Sequence, residues 1–331
     1  MSHLLKKLNF NHKSKPKILV VGDIILDKYI TGKIRGISPE APVPIVDVEE
    51  EYYRLGGCSN VAANIKSLMP EISVDVCGML GSDFGGVEIR KMLDKLKINH
   101  EHVMFTDKHP TILKTRVVGD NRQIVRFDVE HKSNVDPKDR AKLLTKLNKI
   151  SSFYDVIIVS DYSKGAICDK IVTTLKISAE KSTIIVDPKK KDFMAYKGAD
   201  IITPNIKEFE IALDNKVEDV ENAKTLSRSM INKFSIKNVV LTMSELGVLL
   251  TNEKLSEHYP AMPREVVDVC GAGDIIVAAM ASFLASKMDL QDSVYLANVA
   301  AGVSVSKFGT CTVTLDEVRD HLKNALHKES I

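Results

Sequence analysis

Six short runs along the chain are almost uninterrupted in apolar residues, with Val and Ile prominent: "KILVVGD" (17–23), "SVDVCGMLG" (73–81), "YDVIIVSDY" (154–162), "STIIVDPK" (182–189), "ADIITPN" (199–205) and "NVVLTM" (238–243). Strands covered on both faces need such runs, because neither face is left to polar side chains. Helix-like segments lie between them, at 57–69, 84–97, 137–152, 168–180 and 220–235. The alternation predicts an α/β fold, a doubly wound and mostly parallel sheet with helices on both faces.

Two regions break the rhythm. Residues 43–55, "VPIVDVEEEYYRL", and 111–130, "TILKTRVVGDNRQIVRFDVE", read as antiparallel strands, with "GDN" at 119–121 supplying a turn. On the return arm Val125, Phe127 and Val129 share one face while Arg126 and Asp128 share the other. A small antiparallel β sheet on an α/β core is expected to be a lid over a site, an oligomer interface, or both. The expected organisation is a polar tail over 1–16 and one domain over 17–331, with lid strands from about 29–55 and 111–130.

Composition narrows the classes. The chain has 331 residues, 44% of them hydrophobic and 27% charged, which suits a globular domain rather than a disordered one. Lys and Arg number 46 against 44 Asp and Glu, so no broad basic face for nucleic acid is implied. The five cysteines (Cys58, Cys77, Cys168, Cys270 and Cys311) are scattered without a CxxC pair, arguing against a zinc site or a disulfide framework. The start lacks an apolar signal-peptide core, and the longest apolar run, 275–286, is too short to cross a bilayer. A cytoplasmic protein is expected.

The candidate chemistry sits at strand-to-helix junctions. "DVCGAGD" (268–274) precedes the apolar run "IIVAAMASFLAS". Gly271, Ala272 and Gly273 would let a backbone come close to a phosphate, and the first N–H groups of a helix form an anion site. Asp274 reads either as a helix cap or as a reacting carboxylate. A helix N-terminus is expected to lower its pKa, which phosphoryl transfer tolerates because the hydroxyl proton moves late. "TPNIKEF" gives Asn205 and Glu208 the spacing of a capping box, and the same groups could face a hydrated magnesium ion. Gly56, Gly57 and Asn60 suit close approach of a hydroxylated ligand, and Asp23 and Asp27 are carboxylates able to grip vicinal hydroxyls. Lys114, Arg116, Arg122 and Arg126 gather in the expected lid, as solvated charge or as partners for a substrate phosphate. Neither a P-loop nor a G-x-G-x-x-G motif is present.

Taken in order, the diglycine-Asn segment at 56–60, "NIKE" at 205–208 and "DVCGAGD" at 268–274 make the chain resemble the ribokinase-like carbohydrate kinases over residues 17–327. The stretches "ISPEAPVPIV" (37–46), "PTILKTRVVGDNRQIVRFD" (110–128) and "VDPKKKDFMAYKGADIITPNIKEFE" (186–210) resemble the branch acting on D-glycero-β-D-manno-heptose 7-phosphate. The resemblance implies ATP, Mg2+ and a possible monovalent cation as cofactors, and a sugar phosphate as substrate. Asp274 would be the base, with the N–H groups of Gly271–Gly273 stabilising charge. Asn205 and Glu208 would organise magnesium, Glu208 through water. Asp23, Asp27, Gly56, Gly57 and Asn60 would hold the sugar, and Lys114 and Arg116 its phosphate. The nucleotide would lie by Thr242, Ser244 and Gly247, near Asn298 and "KFGT" (307–310). A homodimer through the lid is implied. So is a kinase without the nucleotidyltransferase domain often fused to relatives. Cys270 departs from the usual small residue and suggests sensitivity to oxidation. Another sugar kinase of the same fold, for instance on fructose 6-phosphate, and a non-catalytic sensor are the rivals.

Overall fold

The computed structural model describes residues 2–10, 15–130, 135–262, 266–307, 309 and 311–329. Its strands are β1 (Lys17–Gly22), β2 (Ile24–Ile37), β3 (Pro44–Gly57), β4 (Ser73–Cys77), β5 (Met79–Gly81), β6 (Met104–Thr106), β7 (Ile112–Gly119), β8 (Arg122–Val129), β9 (Val156–Ser160), β10 (Thr183–Asp187), β11 (Ile201–Ile202), β12 (Asn238–Thr242), β13 (Val248–Asn252) and β14 (Ser256–Tyr259). Its helices are α1 (Ser2–Lys7), α2 (Cys58–Leu68), α3 (Phe84–Lys95), α4 (Pro137–Ile150), α5 (Ile171–Ser178), α6 (Ile206–Leu213), α7 (Val220–Phe234), α8 (Ala272–Ala285), α9 (Leu290–Ser304) and α10 (Leu315–Glu329).

The main sheet runs β14-β13-β12-β11-β10-β9-β1-β4 and is parallel from β12 to β4, with β13 and β14 added antiparallel at one edge. Alternate residues of each central strand serve two cores, as a period of two requires. Ile18 and Val20 of β1 and Val156 and Ile158 of β9 pack on one face with α2, α8 and α9. Leu19, Val21, Ile157 and Val159 pack on the other with α4, α5 and α7. Helix α8 is apolar nearly all round because the sheet, α2 and α9 surround it, burying every residue from Ile275 to Phe283. The doubly wound, mostly parallel α/β sheet with a small second sheet expected from the sequence is the architecture found.

The lid is a second sheet of order β3-β2-β7-β8. Its two hairpins are antiparallel, and β2 and β7 join them by a parallel pairing. Asp120 and Asn121, both at positive φ, form the two-residue turn between β7 and β8, the backbone such hairpins need. The strands start nearer the core than expected: β2 begins at Ile24, and Ile24 to Leu26 are buried. The segment expected as a polar tail carries α1, because Leu4 and Leu8 sit four apart and are both buried. Among the described residues no helix is long and apolar enough to cross a membrane.

Candidate active site

The parallel strands deliver their carboxyl ends to one rim. Tyr162 follows β9, Asp187 ends β10, Asn205 follows β11 and Thr242 ends β12. With the inner lid strands and the start of α8 they line a cleft of about 340 Å3. Ligands of open α/β sheets bind at this edge, where helix N-termini converge.

Asp274 lies in the first turn of α8, three residues after Gly271. Gly271 adopts φ 82°, a left-handed conformation that lets the chain turn into the helix. A Cβ on Gly273 would meet nothing within 4 Å, so that glycine leaves open space at the cleft wall. The N–H groups of Gly273 and Asp274 belong to the first turn, whose donors lack helical acceptors. The N–H of Ala272 is instead turned to the carbonyl of Val269 at 3.3 Å, so the expected set of anion donors is incomplete here.

The Asp274 carboxylate accepts from Tyr162 Oη at 2.6 Å on Oδ1 and from Asn60 Nδ2 at 2.5 Å on Oδ2. The helix N-terminus was expected to hold its pKa low. Burial instead pushes it above the ordinary aspartate value, against the lowering effect of those two donors, and the nearby Asp27 carboxylate adds to the rise. Desolvation wins.

At the lid end of the cleft Asp27 is buried and accepts from Arg116 Nη1. Arg116 also lies over the Tyr29 ring at 5.3 Å. Gly56 is required here: a Cβ would sit 2.4 Å from Asp27 Oδ2. Gly57, at φ 57°, begins α2 with its Cβ position 2.2 Å from the Asp23 carbonyl oxygen. Lys114 lies over the Tyr162 ring at 5.6 Å, and burial pulls its pKa down.

At the opposite end Asn205 and Glu208 form the capping box in full. Glu208 N–H donates to Asn205 Oδ1 at 3.0 Å, and Asn205 N–H donates to Glu208 Oε2 at 3.1 Å. Glu208 Oε1 also takes Lys189 Nζ at 2.7 Å. Asp187 stands beside them, pushed well above the ordinary carboxylate range by burial and by the charges of Asp274 and Glu208. The cleft thus gathers five carboxylates (Asp27, Asp161, Asp187, Glu208, Asp274) against three cations (Lys114, Arg116, Lys189). Hard oxygen donors in this number fit a hydrated magnesium ion, whose charge would favour their ionised forms. Among the described residues no three His, Cys, Asp or Glu side chains form a closed metal site, so water and phosphate would supply most of the shell.

Not every expected residue faces the cleft. Asp23 is 3% exposed, and its carboxylate accepts from the backbone N–H groups of Tyr162, Lys164 and Ala166 at 2.9–3.0 Å. Buried behind that loop, it does not line the cleft, and β2 carries Asp27 there instead. Asn298 is buried on α9, its amide donating to the Pro260 carbonyl at 2.8 Å. Ser244 and Gly247 lie in the tight connection from β12 to β13, and of that segment only Thr242 lines the cleft. Phe308 and Thr310 of "KFGT" lie outside the described residues. Cys270 lines the cleft and is exposed. All five cysteines are free. Tyr162, Asp187 and Lys189 also line the cleft, although they belong to none of the three motifs. Each follows an apolar strand run directly, and that placement was the only signal for them.

Comparison with known proteins agrees with this geometry. The model of the pfkB family carbohydrate kinases matches residues 15–317, and the chain belongs to that family. It is therefore an ATP-dependent sugar kinase. It is 35% identical over 318 residues to the bifunctional protein HldE of Aliarcobacter butzleri, covering 96% of this chain and 66% of that protein. The chain thus spans slightly less than two thirds of that relative's length. Among solved structures it is similar to phosphofructokinase-2 from Escherichia coli in complex with potassium (TM-score 0.76, 20% identity, 92% of this chain and 97% of that one). It is likewise similar to ribokinase from Thermotoga maritima (TM-score 0.72, 19% identity, 94% and 100%).

Proposed function

We propose that the chain transfers the γ-phosphoryl group of ATP to the anomeric hydroxyl of D-glycero-β-D-manno-heptose 7-phosphate, giving the 1,7-bisphosphate for ADP-heptose and lipopolysaccharide core synthesis. The observation that carries the reaction type is the half-buried Asp274, which lines one cleft together with Asp27 and Arg116 of the lid and with Asn205 and Glu208. The choice of heptose is supported by the resemblance of residues 37–46, 110–128 and 186–210 to that branch, and by the similarity to a protein named HldE.

In this reading Asp27, the Gly56–Gly57 backbone and Asn60 hold the sugar. Lys114 holds its 7-phosphate, since Arg116 is already engaged by Asp27. Asp274 takes the proton of the anomeric hydroxyl as its oxygen bonds to the γ-phosphorus and the bond to the ADP oxygen breaks. A raised pKa makes Asp274 a better acceptor than a helix-end carboxylate would otherwise be. The first-turn N–H groups of Gly273 and Asp274 stabilise the transferring group. Glu208 and Asp187 would hold hydrated magnesium through water, and that charge would offset the charge of the phosphates. Thr242 borders the nucleotide. The proposed cofactor set extends to a monovalent cation, in keeping with the potassium complex of the structural neighbour. The outer lid exposes Ile34, Val48, Val125, Phe127 and Val129, which supports a homodimer through the lid. The site of action is the cytoplasm.

The test is ADP release from magnesium ATP with the heptose 7-phosphate, fructose 6-phosphate, ribose and adenosine in parallel, with Asp274→Ala as control. The expected result is turnover with the heptose, reduced at least a thousandfold in the variant, as for loss of an essential base. Preference for fructose 6-phosphate would overturn the substrate. ATP binding without turnover on any acceptor would favour a sensor.

A further inference from the structure

Asp23, behind the cleft, and Tyr162, on its wall, are tied together by one braced loop. The loop after β9 wraps round the Asp23 carboxylate, which accepts from three of its N–H groups within five residues, those of Tyr162, Lys164 and Ala166. Ser163, at φ 55°, is the bend that lets successive N–H groups converge. Asp161 pins the same loop from the other side. It accepts from Ser163 N–H at 2.6 Å and from Tyr196 Oη at 2.7 Å. The product of this bracing is one side chain, Tyr162, whose hydroxyl meets Asp274 Oδ1 at 2.6 Å.

We propose that Tyr162 is a positioning residue for the base, orienting the Asp274 carboxylate by its phenol hydrogen bond, and that Asp23 holds the loop presenting it. The proposal deepens the assignment of Asp274 as base and rests on it. Asn60 fixes one carboxylate oxygen and Tyr162 the other, so the two donors together set the plane of the carboxyl group. Neither donor is a base. Burial and neighbouring acids raise the Tyr162 phenol pKa far above neutrality, so it stays a donor throughout the working range. The Lys114 ammonium over the same ring links the base support to the cation assigned to the substrate phosphate.

A donor to an ionised carboxylate favours the ionised form, so removing it should raise the pKa of Asp274. Other groups that bear on Asp274 are Asp27 of β2, Lys114 of β7, Asp187 of β10, Cys58 of α2 and Cys270 of the preceding turn. Tyr162→Phe leaves all of these in place and keeps the ring.

The experiment compares wild type, Tyr162→Phe, Asp23→Asn and Asp274→Asn by steady-state kinetics from pH 5 to 9, on whichever sugar phosphate turns over fastest. Tyr162→Phe is expected to lower kcat about tenfold, with the sugar KM within about twofold, and to move the acid limb up by about one pH unit. Asp23→Asn should also act on kcat, whereas a sugar-gripping carboxylate would act on KM. Independent of any substrate, 13C NMR of Asp-labelled protein, with the Asp274 resonance identified by its loss in Asp274→Asn, should show an upward midpoint shift in Tyr162→Phe. Unchanged kcat and an unmoved Asp274 midpoint in Tyr162→Phe would overturn the proposal. Full activity in Asp274→Asn would instead overturn the base assignment, and the positioning role with it.

Discussion

Asp274 is where two elementary effects oppose each other. The helix N-terminus and two donors favour its charge, while burial beside Asp27 disfavours it, and the net direction is upward. A carboxylate raised in the folded state carries no penalty at pH below its ordinary value. Folding stability is lost as pH rises from the ordinary value through the folded pKa, and the loss is complete above it. Asp274→Asn should therefore melt about 1–2 °C above wild type at pH 8, with the difference vanishing near pH 4. A lower melting temperature for the variant at pH 8, read by calorimetry, would mean that the two hydrogen bonds outweigh desolvation. The direction of this pKa was misjudged from sequence, because the sequence reveals the helix start but not how deeply the carboxylate is enclosed. Asp23 was misplaced for a related reason. Near the end of an apolar run, a carboxylate that binds ligand and one that binds a returning loop look alike, and the loop lies some 140 residues away.

At the scale of elements, the parallel strands and their helices were legible because period and apolar content follow directly from double-sided burial. The predicted helix 220–235 is α7, Val220–Phe234, and the predicted 84–97 is α3, Phe84–Lys95. What was hard to read was short or locally ambiguous. The run 73–81 splits at Gly78 into β4 and β5, where a Cβ would lie 2.5 Å from the Gly22 carbonyl oxygen. In α1 only two leucines oppose a polar background. The lid hairpin at Asp120–Asn121 was legible, and so was its outer apolar face. Val125, Phe127 and Val129 are each about half exposed, which an unpartnered sheet would not favour. Phe127→Asp is expected to convert a dimer into a monomer by light scattering, without changing secondary structure. A wild-type protein that is already monomeric at micromolar concentration would contradict the lid interface.

At the scale of the molecule, the fold brings together groups far apart in sequence. Asn60 and Asp274 are hydrogen-bonded across 214 positions, and Arg116 and Asp27 across 89. Motif order foretold that Asn60, Asn205, Glu208 and Asp274 share a site, since the carboxyl edge of an α/β sheet collects strand-to-helix junctions. The nucleotide side was less legible. Asn298 and Gly247 serve the backbone around Tyr259 and Pro260, a tertiary relation that no local spacing encodes. Sugar stereochemistry is the finest level of the account and rests on the fewest groups. The most direct measurement is 31P NMR of the product formed from magnesium ATP and D-glycero-β-D-manno-heptose 7-phosphate. The account predicts a second sugar phosphate resonance coupled to the anomeric proton, with ADP released in equal amount. A new phosphate coupled to any other proton, or no new sugar phosphate at all, would contradict it.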